Sequence, residues 1–248
     1  MIKRLLDIIW AGVGLLIVFP VIGVAMFLIW RQDSHSPFYR APRVGKGGKL
    51  FYMLKLRSMV MNADKNGVNS TSANDTRITP IGHFIRRYKL DELTQFWNVM
   101  KGDMSFVGPR PNLKRETEFY TPVERKLLDV RPGITDFSSI VFSDEAEILR
   151  DTSDPDVAYN QLIRPGKSLL GLFYVKNHTT MVDVQLLWLT ALTIISRTRA
   201  LAGVQRLLRA LGAEPELLKI ASRKNPLVPM VPPGGDRIVT SRDGNPFV

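Results

Sequence analysis

The sequence contains no cysteine and only three histidines in 248 residues. Without cysteine, the chain has no means of forming a disulfide, a thiolate metal site or a cysteine nucleophile. The histidines do not follow an HExxH spacing, and the chain has neither a GxSxG nucleophile elbow nor a dinucleotide-binding GxGxxG. These absences exclude zinc hydrolases and Ser-His-Asp hydrolases. The histidines are His35, His83 and His178.

Acidic residues are scarce relative to basic ones. The chain has 23 Asp and Glu against 34 Lys and Arg, which gives a net charge of +11 and a pI near 10.0. Such a balance favours polyanionic partners, namely nucleic acid, anionic lipid or phosphorylated metabolites. Apolar residues make up 45% of the chain, which is ordinary for a folded protein and excludes wholesale disorder.

The segment from residue 5 to residue 30 is almost entirely apolar. Asp7 is its single charge and Pro20 its single proline. Its length is sufficient to cross a hydrocarbon core of ~30 Å, and it exceeds the apolar core of a secretory signal. Lys and Arg flank it on both sides, so both ends favour the cytoplasmic side. The residues alone leave two topologies open: a hairpin broken at Pro20, and a plain kinked transmembrane helix.

The middle of the chain predicts short elements. Two aromatic and apolar runs, joined by glycine-rich residues 45–48, predict a β-hairpin, and residues 62–76 predict a polar surface loop. Apolar positions recur at helical spacing over residues 81–100. Thr121 with Glu124, and Asp154 before a proline, predict helix starts.

The C-terminal part predicts amphipathic helices followed by an irregular segment. Residues 182–197 are apolar except for a narrow stripe that includes Asp183 and Thr190. Residues 199–211 carry a second apolar stripe opposite arginines. Helices of this kind lie in the lipid interface or pack on the domain core, and both placements are open here. The proline- and glycine-rich residues beyond 222 predict a mobile tail.

One dense stretch, IRRYKLDELTQFWNVMKGDMSFVGPRP, carries the candidate chemistry. Its adjacent carboxylates, Asp91 and Glu92, lie between a basic cluster and Arg110. Carboxylates at a helix N-terminus lie beside free N–H groups that also attract phosphate, and nearby cations let two anions approach each other. The alternative is structural: Asp91 as a helix N-cap, Glu92 as a solvated acid and Arg110 in a surface turn.

This stretch resembles the bacterial sugar transferases, the small monotopic polyprenyl-phosphate phosphoglycosyl transferases. The resemblance covers about residues 1–198 and rests on LDEL, NVMKGDMSFVGPRP and RPGIT, in that order. Further matching residues precede and separate these motifs; they are Lys3, Arg4, Asp7, Pro20, Arg43, Gly45, Gly48, Phe51, Lys55, Arg57, Ser58, Met59, Asp75, Arg77, Thr79 and Gly82.

The resemblance implies an α+β fold that is mainly α. Residues 1–31 would form a re-entrant membrane hairpin, helix–break–helix at Pro20. Residues 32–198 would form a cytosolic phosphoglycosyl transferase domain, with a small β-hairpin, a compact helical catalytic part and interfacial amphipathic helices at its end. Residues 199–248, an amphipathic helix and the mobile tail, have no counterpart in the minimal family core. We expect the small form of the family.

The resemblance also implies the reaction. A sugar 1-phosphate would pass from a UDP-sugar to undecaprenyl phosphate through a covalent aspartyl intermediate, with release of UMP. Asp91 would be the nucleophile, and Glu92 would assist through Mg²⁺ or by acid-base work. Oxygen ligands suit that hard cation, which would neutralise the diphosphate. The residues expected to bind phosphate are Arg110, Arg131, Arg77, Lys55 and Arg57.

The expected location is the cytoplasmic leaflet of a bacterial inner membrane, with the catalytic domain facing the cytoplasm. The expected partners are the UDP-sugar, undecaprenyl phosphate and the membrane; nucleic acid is not expected, and a homo-oligomer is compatible with the sequence. Two alternatives differ from this interpretation. One is a non-catalytic, membrane-anchored basic domain that binds nucleic acid or anionic lipid; the other is a glycosyltransferase that moves only the sugar.

Two departures from the common family pattern affect these expectations. Thr94 stands where proline usually follows DEL, which predicts a looser turn after the carboxylates. Asp136, Phe137 and Ser138 replace the more frequent glycine-led stretch after PGIT. Together with the insertion-like residues 143–156, this second departure leaves the identity of the donor sugar open.

Overall fold

The computed structural model describes residues 2–63, 71, 75–242 and 245–246. Within these residues the chain is mostly helical with two small sheets, which confirms an α+β fold. The helices are α1 Ile2–Asp33, α2 Pro80–Arg87, α3 Leu90–Leu93, α4 Phe96–Lys101, α5 Lys114–Glu118, α6 Phe137–Val141, α7 Glu145–Ile148, α8 Pro155–Ala158, α9 Arg164–Asn177, α10 Thr180–Ile195, α11 Arg197–Ala210 and α12 Pro215–Ser222. The strands are β1 Phe38–Val44, β2 Leu50–Leu56, β3 Ser105–Val107 and β4 Gly133–Thr135. Most of the predicted loop at residues 62–76 lies outside the described residues.

Strands β1 and β2 form the predicted hairpin. They pair antiparallel from Phe38 opposite Leu56 to Val44 opposite Leu50. The connecting turn contains Gly47 with φ +67°, in the left-handed region that glycine adopts without a Cβ clash. The glycine-rich link in the sequence is therefore the signal that fixes this turn.

Helix α1 is the longest element, and within the described residues it alone is long and apolar enough to cross a membrane by length and composition. It runs without interruption through Pro20, which differs from the predicted helix–break–helix. Proline removes one backbone hydrogen bond and its ring crowds the preceding turn, but the hydrogen bonds on either side keep the helix continuous. A second, independent feature is that α1 contacts the rest of the protein along its whole length. Ala11 is fully buried beside β1, β2 and α4, and Ile29 is buried beside α2.

The largest core lies between α6, α9, α10 and α11. Leu170 of α9, Leu186 of α10 and Val204 of α11 are fully buried in it. The predicted apolar stripe of α11 thus faces the protein. Of the two placements left open by the sequence, the lipid interface and the domain core, α11 has the second. Burial between α10 and α12 is the reason, because both neighbours cover the stripe.

The segment after α12, for which the sequence predicts a mobile tail, lies against the domain. The Met230 N–H donates to the carbonyl of Gln161 at 3.0 Å, and the Gln161 side-chain amide donates to the carbonyl of Val239 at 2.8 Å. Val239 itself is fully buried. The residues that make these contacts do not recur at helical or strand spacing. Hydropathy patterns therefore do not predict that this segment packs on the domain.

Strands β3 and β4 pair in parallel, with Ser105 opposite Gly133 and Val107 opposite Thr135. No pattern in the sequence predicts this short pair. It brings the GPRP loop, which follows β3, beside the RPGIT segment that contains β4. The pair is the frame on which Arg110 is held.

Candidate active site

Asp91 and Glu92 lie in α3, a single helical turn. Lys89, just before it, has φ +53°, and this left-handed residue lies in the turn between α2 and α3. The Thr94 hydroxyl donates to the carbonyl of Leu54 in β2 at 3.0 Å and to the carbonyl of Asp91 at 3.1 Å. Thr94 therefore ties the turn to β2, whereas the sequence predicted a looser turn. Asp91 is inside α3 and is not its N-cap, a position held by Lys89.

Asp91 is buried, at 8% exposure, among basic side chains. Lys55 Nζ lies 3.4 Å from Asp91 Oδ2. Burial lowers the pKa of the Arg86 guanidinium, and the charge of Asp91, followed by that of Asp75, partly offsets this effect. Asp91 therefore pairs with Lys55 on β2 and interacts electrostatically with Arg86 on α2.

Glu92 forms an ion pair with Arg110. Burial raises the pKa of Glu92, but the positive charges of Arg110 and Lys55 outweigh it and lower the pKa to about 2. The same pairing raises the pKa of Arg110, against the effect of its own burial. Both groups are therefore fully charged at neutral pH.

Arg110 is positioned by the contact between the GPRP loop, which contains Gly108, and the RPGIT segment, which contains Gly133. The Gly108 N–H donates to the carbonyl of Thr135 and the Gly133 N–H to that of Pro109, each at 3.0 Å. A Cβ on Gly133 would lie 2.1 Å from the Gly108 nitrogen, so only glycine permits this approach. A further bond at 3.3 Å, from Arg110 Nη1 to the carbonyl of Ile134, fixes the guanidinium against β4.

The structure adds Arg43 and Arg86, which are not among the site residues predicted from the sequence. Arg43 is opposite Phe51, and Lys55 lies four residues after Phe51 on the same strand. Because side chains alternate between the two faces, Arg43 and Lys55 project from the same face of the β1–β2 hairpin. Burial lowers the pKa of Arg43, Glu116 and Tyr39 raise it, and Arg110 lowers it further. Arg43 is among the residues that match the family pattern, and that match was the available signal.

Three predicted phosphate ligands have other partners. Arg57 donates from Nη2 to Asp33 Oδ1 at 2.6 Å, at the end of α1. Arg77 donates from Nη2 to Asp75 Oδ2 at 2.6 Å, and Arg131 donates from Nε to the carbonyl of Gly102 at 3.0 Å. The structure thus joins Lys55 and Arg110 to the carboxylate pair and does not join these three to it. Their role in phosphate binding stays a prediction.

A sequence model described as "Bacterial sugar transferase" matches residues 1–197. The chain belongs to this family. The match ends at the start of α11, so α11, α12 and the segment after them lie beyond it. The residues of the site in this bacterial sugar transferase all lie within the matched part.

Three curated proteins are similar to this chain over about four fifths of its length. The chain is 32% identical over 202 residues to the UDP-N-acetylgalactosamine-undecaprenyl-phosphate N-acetylgalactosaminephosphotransferase of Aeromonas hydrophila, covering 79% of this chain and 44% of that one. It is 34% identical over 217 residues to the undecaprenyl-phosphate galactose phosphotransferase of Salmonella typhimurium, covering 80% and 41%.

The third is the UDP-glucose:undecaprenyl-phosphate glucose-1-phosphate transferase of Xanthomonas campestris pv. campestris. Here the identity is 33% over 204 residues, covering 80% of this chain and 40% of that one. The chain thus spans less than half the length of these three relatives. Their names give no support to a non-catalytic nucleic-acid- or lipid-binding domain.

The carboxylate pair offers two ligand groups to a cation. Within the described residues, no group of three or more Asp, Glu, His or Cys side chains is arranged to hold a metal ion. Mg²⁺ is usually held by one or two carboxylates together with substrate phosphates and waters. Asp91 and Glu92 therefore fit a magnesium ion that is shared with a diphosphate substrate, and do not fit an ion held by the protein alone.

Proposed function

We propose that this protein transfers a sugar 1-phosphate from a UDP-sugar to undecaprenyl phosphate and releases UMP. The observation that carries the proposal is the buried pair Asp91 and Glu92, held between Lys55 and Arg110 in a chain of the bacterial sugar transferase family. The names of all three relatives include undecaprenyl phosphate, two of them also name a UDP-sugar, and the sugars differ. The shared donor class is therefore a UDP-hexose or a UDP-N-acetylhexosamine.

In the first step, an Asp91 carboxylate oxygen attacks the phosphorus that bears the sugar. An O–P bond forms, the bond from that phosphorus to the bridging diphosphate oxygen breaks, and UMP leaves with the electron pair. Two anions must approach each other in this step, and cations lower the repulsion between them. Lys55, at 3.4 Å from Asp91, and Arg110 are in position to bind the phosphate oxygens.

In the second step, a phosphate oxygen of undecaprenyl phosphate attacks the same phosphorus. The bond to Asp91 breaks, which restores the carboxylate and gives a lipid-linked diphosphate sugar. Because the covalent intermediate stores the sugar phosphate, a water-soluble donor and a lipid acceptor use one site in turn. The expected kinetics are ping-pong.

Asp91 and Glu92 are the residues that would hold Mg²⁺ together with the donor diphosphate. The ion supplies neutralisation of the diphosphate charge. Glu92 stays ionised at neutral pH because Arg110 and Lys55 lower its pKa to about 2, so it remains available as a ligand. Its ion pair with Arg110 also holds the guanidinium close to the diphosphate.

The proposal includes a membrane-bound, monotopic arrangement in the cytoplasmic leaflet of a bacterial inner membrane. Large apolar side chains are exposed on α1, among them Leu16 at 78% and Phe19 at 72%. On α10 the exposed side chains include Trp188 and Ile195. The polar stripe of α10 faces inward instead: Asp183 pairs with Lys3 of α1. An apolar outer surface on both helices favours contact with lipid.

The deciding experiment compares Asp91→Asn with the wild type. Purified protein is incubated with Mg²⁺, undecaprenyl phosphate and radiolabelled UDP-sugars, and the lipid-linked product and the released nucleotide are measured. We expect wild-type protein to release UMP and Asp91→Asn to lose several orders of magnitude in turnover, because the nucleophile is removed.

The matched control is Asp151→Asn, which removes the same charge at an exposed position and is expected to keep wild-type turnover. Acid quenching during turnover should trap a labelled acyl phosphate on Asp91. Release of UDP instead of UMP would identify a transferase that moves only the sugar. Full turnover by Asp91→Asn would contradict the assigned nucleophile.

A further inference from the structure

The GPRP loop continues into Asn112, and the side chain of this residue is bound to a tyrosine. Asn112 Nδ2 donates a hydrogen bond to the Tyr120 hydroxyl at 2.7 Å, and the Asn112 carbonyl accepts one from the Val44 N–H at 3.0 Å. Tyr120, two residues after α5, is buried. The end of the loop is therefore held both by β1 and by a buried aromatic side chain.

Arg110 lies two residues before Asn112, with a proline on either side. The rings of Pro109 and Pro111 fix the φ angle at these two positions, and a residue that precedes proline is itself restricted to extended backbone. The chain from Pro109 to Asn112 therefore has few free dihedral angles. Because so little of a displacement is absorbed in between, a shift of Asn112 moves Arg110 as well.

Side-chain packing encloses Arg110 only in part. A small cleft is lined by Arg110, Asn112 and Tyr120, among other residues, and 30% of the Arg110 side chain is exposed. The guanidinium itself is held by the ion pair with Glu92 and by the bond to the Ile134 carbonyl at 3.3 Å. The remaining constraint on Arg110 comes from the loop that carries it, and the Asn112–Tyr120 bond lies at the end of that loop.

Tyr120 is itself held in place by a buried network. The hydroxyl of the next residue, Thr121, donates to the carbonyl of Pro233 and accepts from the Glu124 N–H at 3.0 Å. Arg164 Nη2 donates to Glu124 Oε2 at 2.6 Å, and the Arg164 guanidinium lies 5.9 Å from the centroid of the Tyr120 ring. A side chain supported in this way is suited to fix the position of a binding group.

We propose that Tyr120 is a positioning residue: its hydroxyl holds Asn112, and with it the Arg110 guanidinium, in the orientation that binds the donor diphosphate. Tyr120 does not touch the substrate, and its whole effect on the reaction passes through Arg110. A misplacement of a binding group by about 1 Å is enough to slow a reaction strongly. The inference rests on the proposed function and adds to it the side chain on which the placement of Arg110 depends.

The test is a double-mutant cycle between Tyr120 and Arg110. Tyr120→Phe, which removes the hydroxyl and keeps the ring, is made in the wild-type protein and in Arg110→Met, and kcat and KM for the UDP-sugar are measured from the UMP released. We expect Tyr120→Phe to lower kcat/KM by about tenfold in the wild-type background. In Arg110→Met, where the arginine to be positioned is gone, it should lower kcat/KM by less than about twofold. Tyr52→Phe, which removes a hydroxyl from a side chain exposed on β2, is the matched control and should change neither background.

Asn112→Leu removes the same hydrogen bond from its other end. It should reproduce both the loss in the wild-type background and its disappearance in Arg110→Met, and it decides the question if Tyr120→Phe fails to fold. A hydroxyl that touched the substrate, or that only stabilised the fold, would give the same loss in both backgrounds. That result would refute the inference, as would an unchanged kcat/KM in the wild-type background. Absence of UMP release by the wild type with every UDP-sugar would instead overturn the proposed function, and this inference with it.

Discussion

Glu92 illustrates how neighbouring charges decide the ionisation of a buried carboxylate. Burial disfavours the charged form, yet Arg110 and Lys55 lower the pKa from the ordinary 4.5 to about 2. The group is more acidic in the folded than in the unfolded chain. Its contribution to stability is therefore fully present above pH ~4.5 and is lost as the pH falls from about 4.5 to about 2. Glu92 is not expected to produce an acid limb in the activity profile near neutral pH.

Replacing Arg110 by methionine should change both the rate and its pH dependence. Without the guanidinium, burial of Glu92 is opposed by Lys55 and Lys89, so the pKa of Glu92 rises. We expect kcat/KM to fall by about 10²–10³-fold and a new acid limb to appear at higher pH than in the wild type. The measurement is kcat/KM from pH 4 to pH 9, with Arg115→Met, in the exposed part of α5, as the control. An unshifted profile with a lower rate would show that Arg110 binds substrate without tuning Glu92.

Adjacent carboxylates flanked by basic residues were enough to identify Asp91, Glu92 and Arg110 in the sequence as candidate site residues. Arg43 and Arg86 were missed because their roles depend on packing. Arg43 reaches the site only through the register of the β1–β2 hairpin, and Arg86 only through the left-handed bend at Lys89. Neither the register nor the bend is readable from charge order alone.

At the scale of elements, local signals predicted best. The capping box is present, because the Glu124 N–H bonds the Thr121 hydroxyl at 3.0 Å and the Thr121 N–H bonds the Glu124 carboxylate at 3.2 Å. The Asp154 side chain caps α8 as predicted. The parallel pair of β3 and β4 was missed because each strand has three residues, too few for a period, and the pairing joins distant parts of the chain.

The segment after α12 gives a prediction for an element that hydropathy did not detect. Val239 is fully buried whereas its neighbour Ile238 is 38% exposed. Val239→Asp buries an unpaired charge and should cost about 3 kcal/mol, which lowers Tm by roughly 6–12 °C for a chain of this size. Ile238→Asp is the matched control and should change Tm little. Thermal unfolding in detergent measures both, and equal Tm values would indicate a segment that is mobile in solution.

At the scale of the whole molecule, both ends of α1 are attached to one domain. Lys3 Nζ donates to the carbonyl of Val107 at 3.1 Å, near the start of the helix. Asp33, at its end, is bound by Arg57 Nη2 at 2.6 Å. A straight helix of this length would extend about 48 Å, more than a hydrocarbon core, yet neither end leaves the domain. This arrangement favours one-sided membrane association over a plain transmembrane helix.

The absence of cysteine makes this topology directly testable. Single-cysteine variants Ile2→Cys and His35→Cys, both at exposed positions, mark the two ends of α1, and Leu16→Cys marks its apolar middle. In oriented membrane vesicles, an impermeant maleimide should label Ile2→Cys and His35→Cys from the same face only, while lipid protects Leu16→Cys. The cytoplasmic face is expected, because Lys and Arg flank both ends of the apolar segment. Labelling of the two ends from opposite faces would require a transmembrane α1, and the contacts of Lys3 with Val107 would then have to break in the membrane.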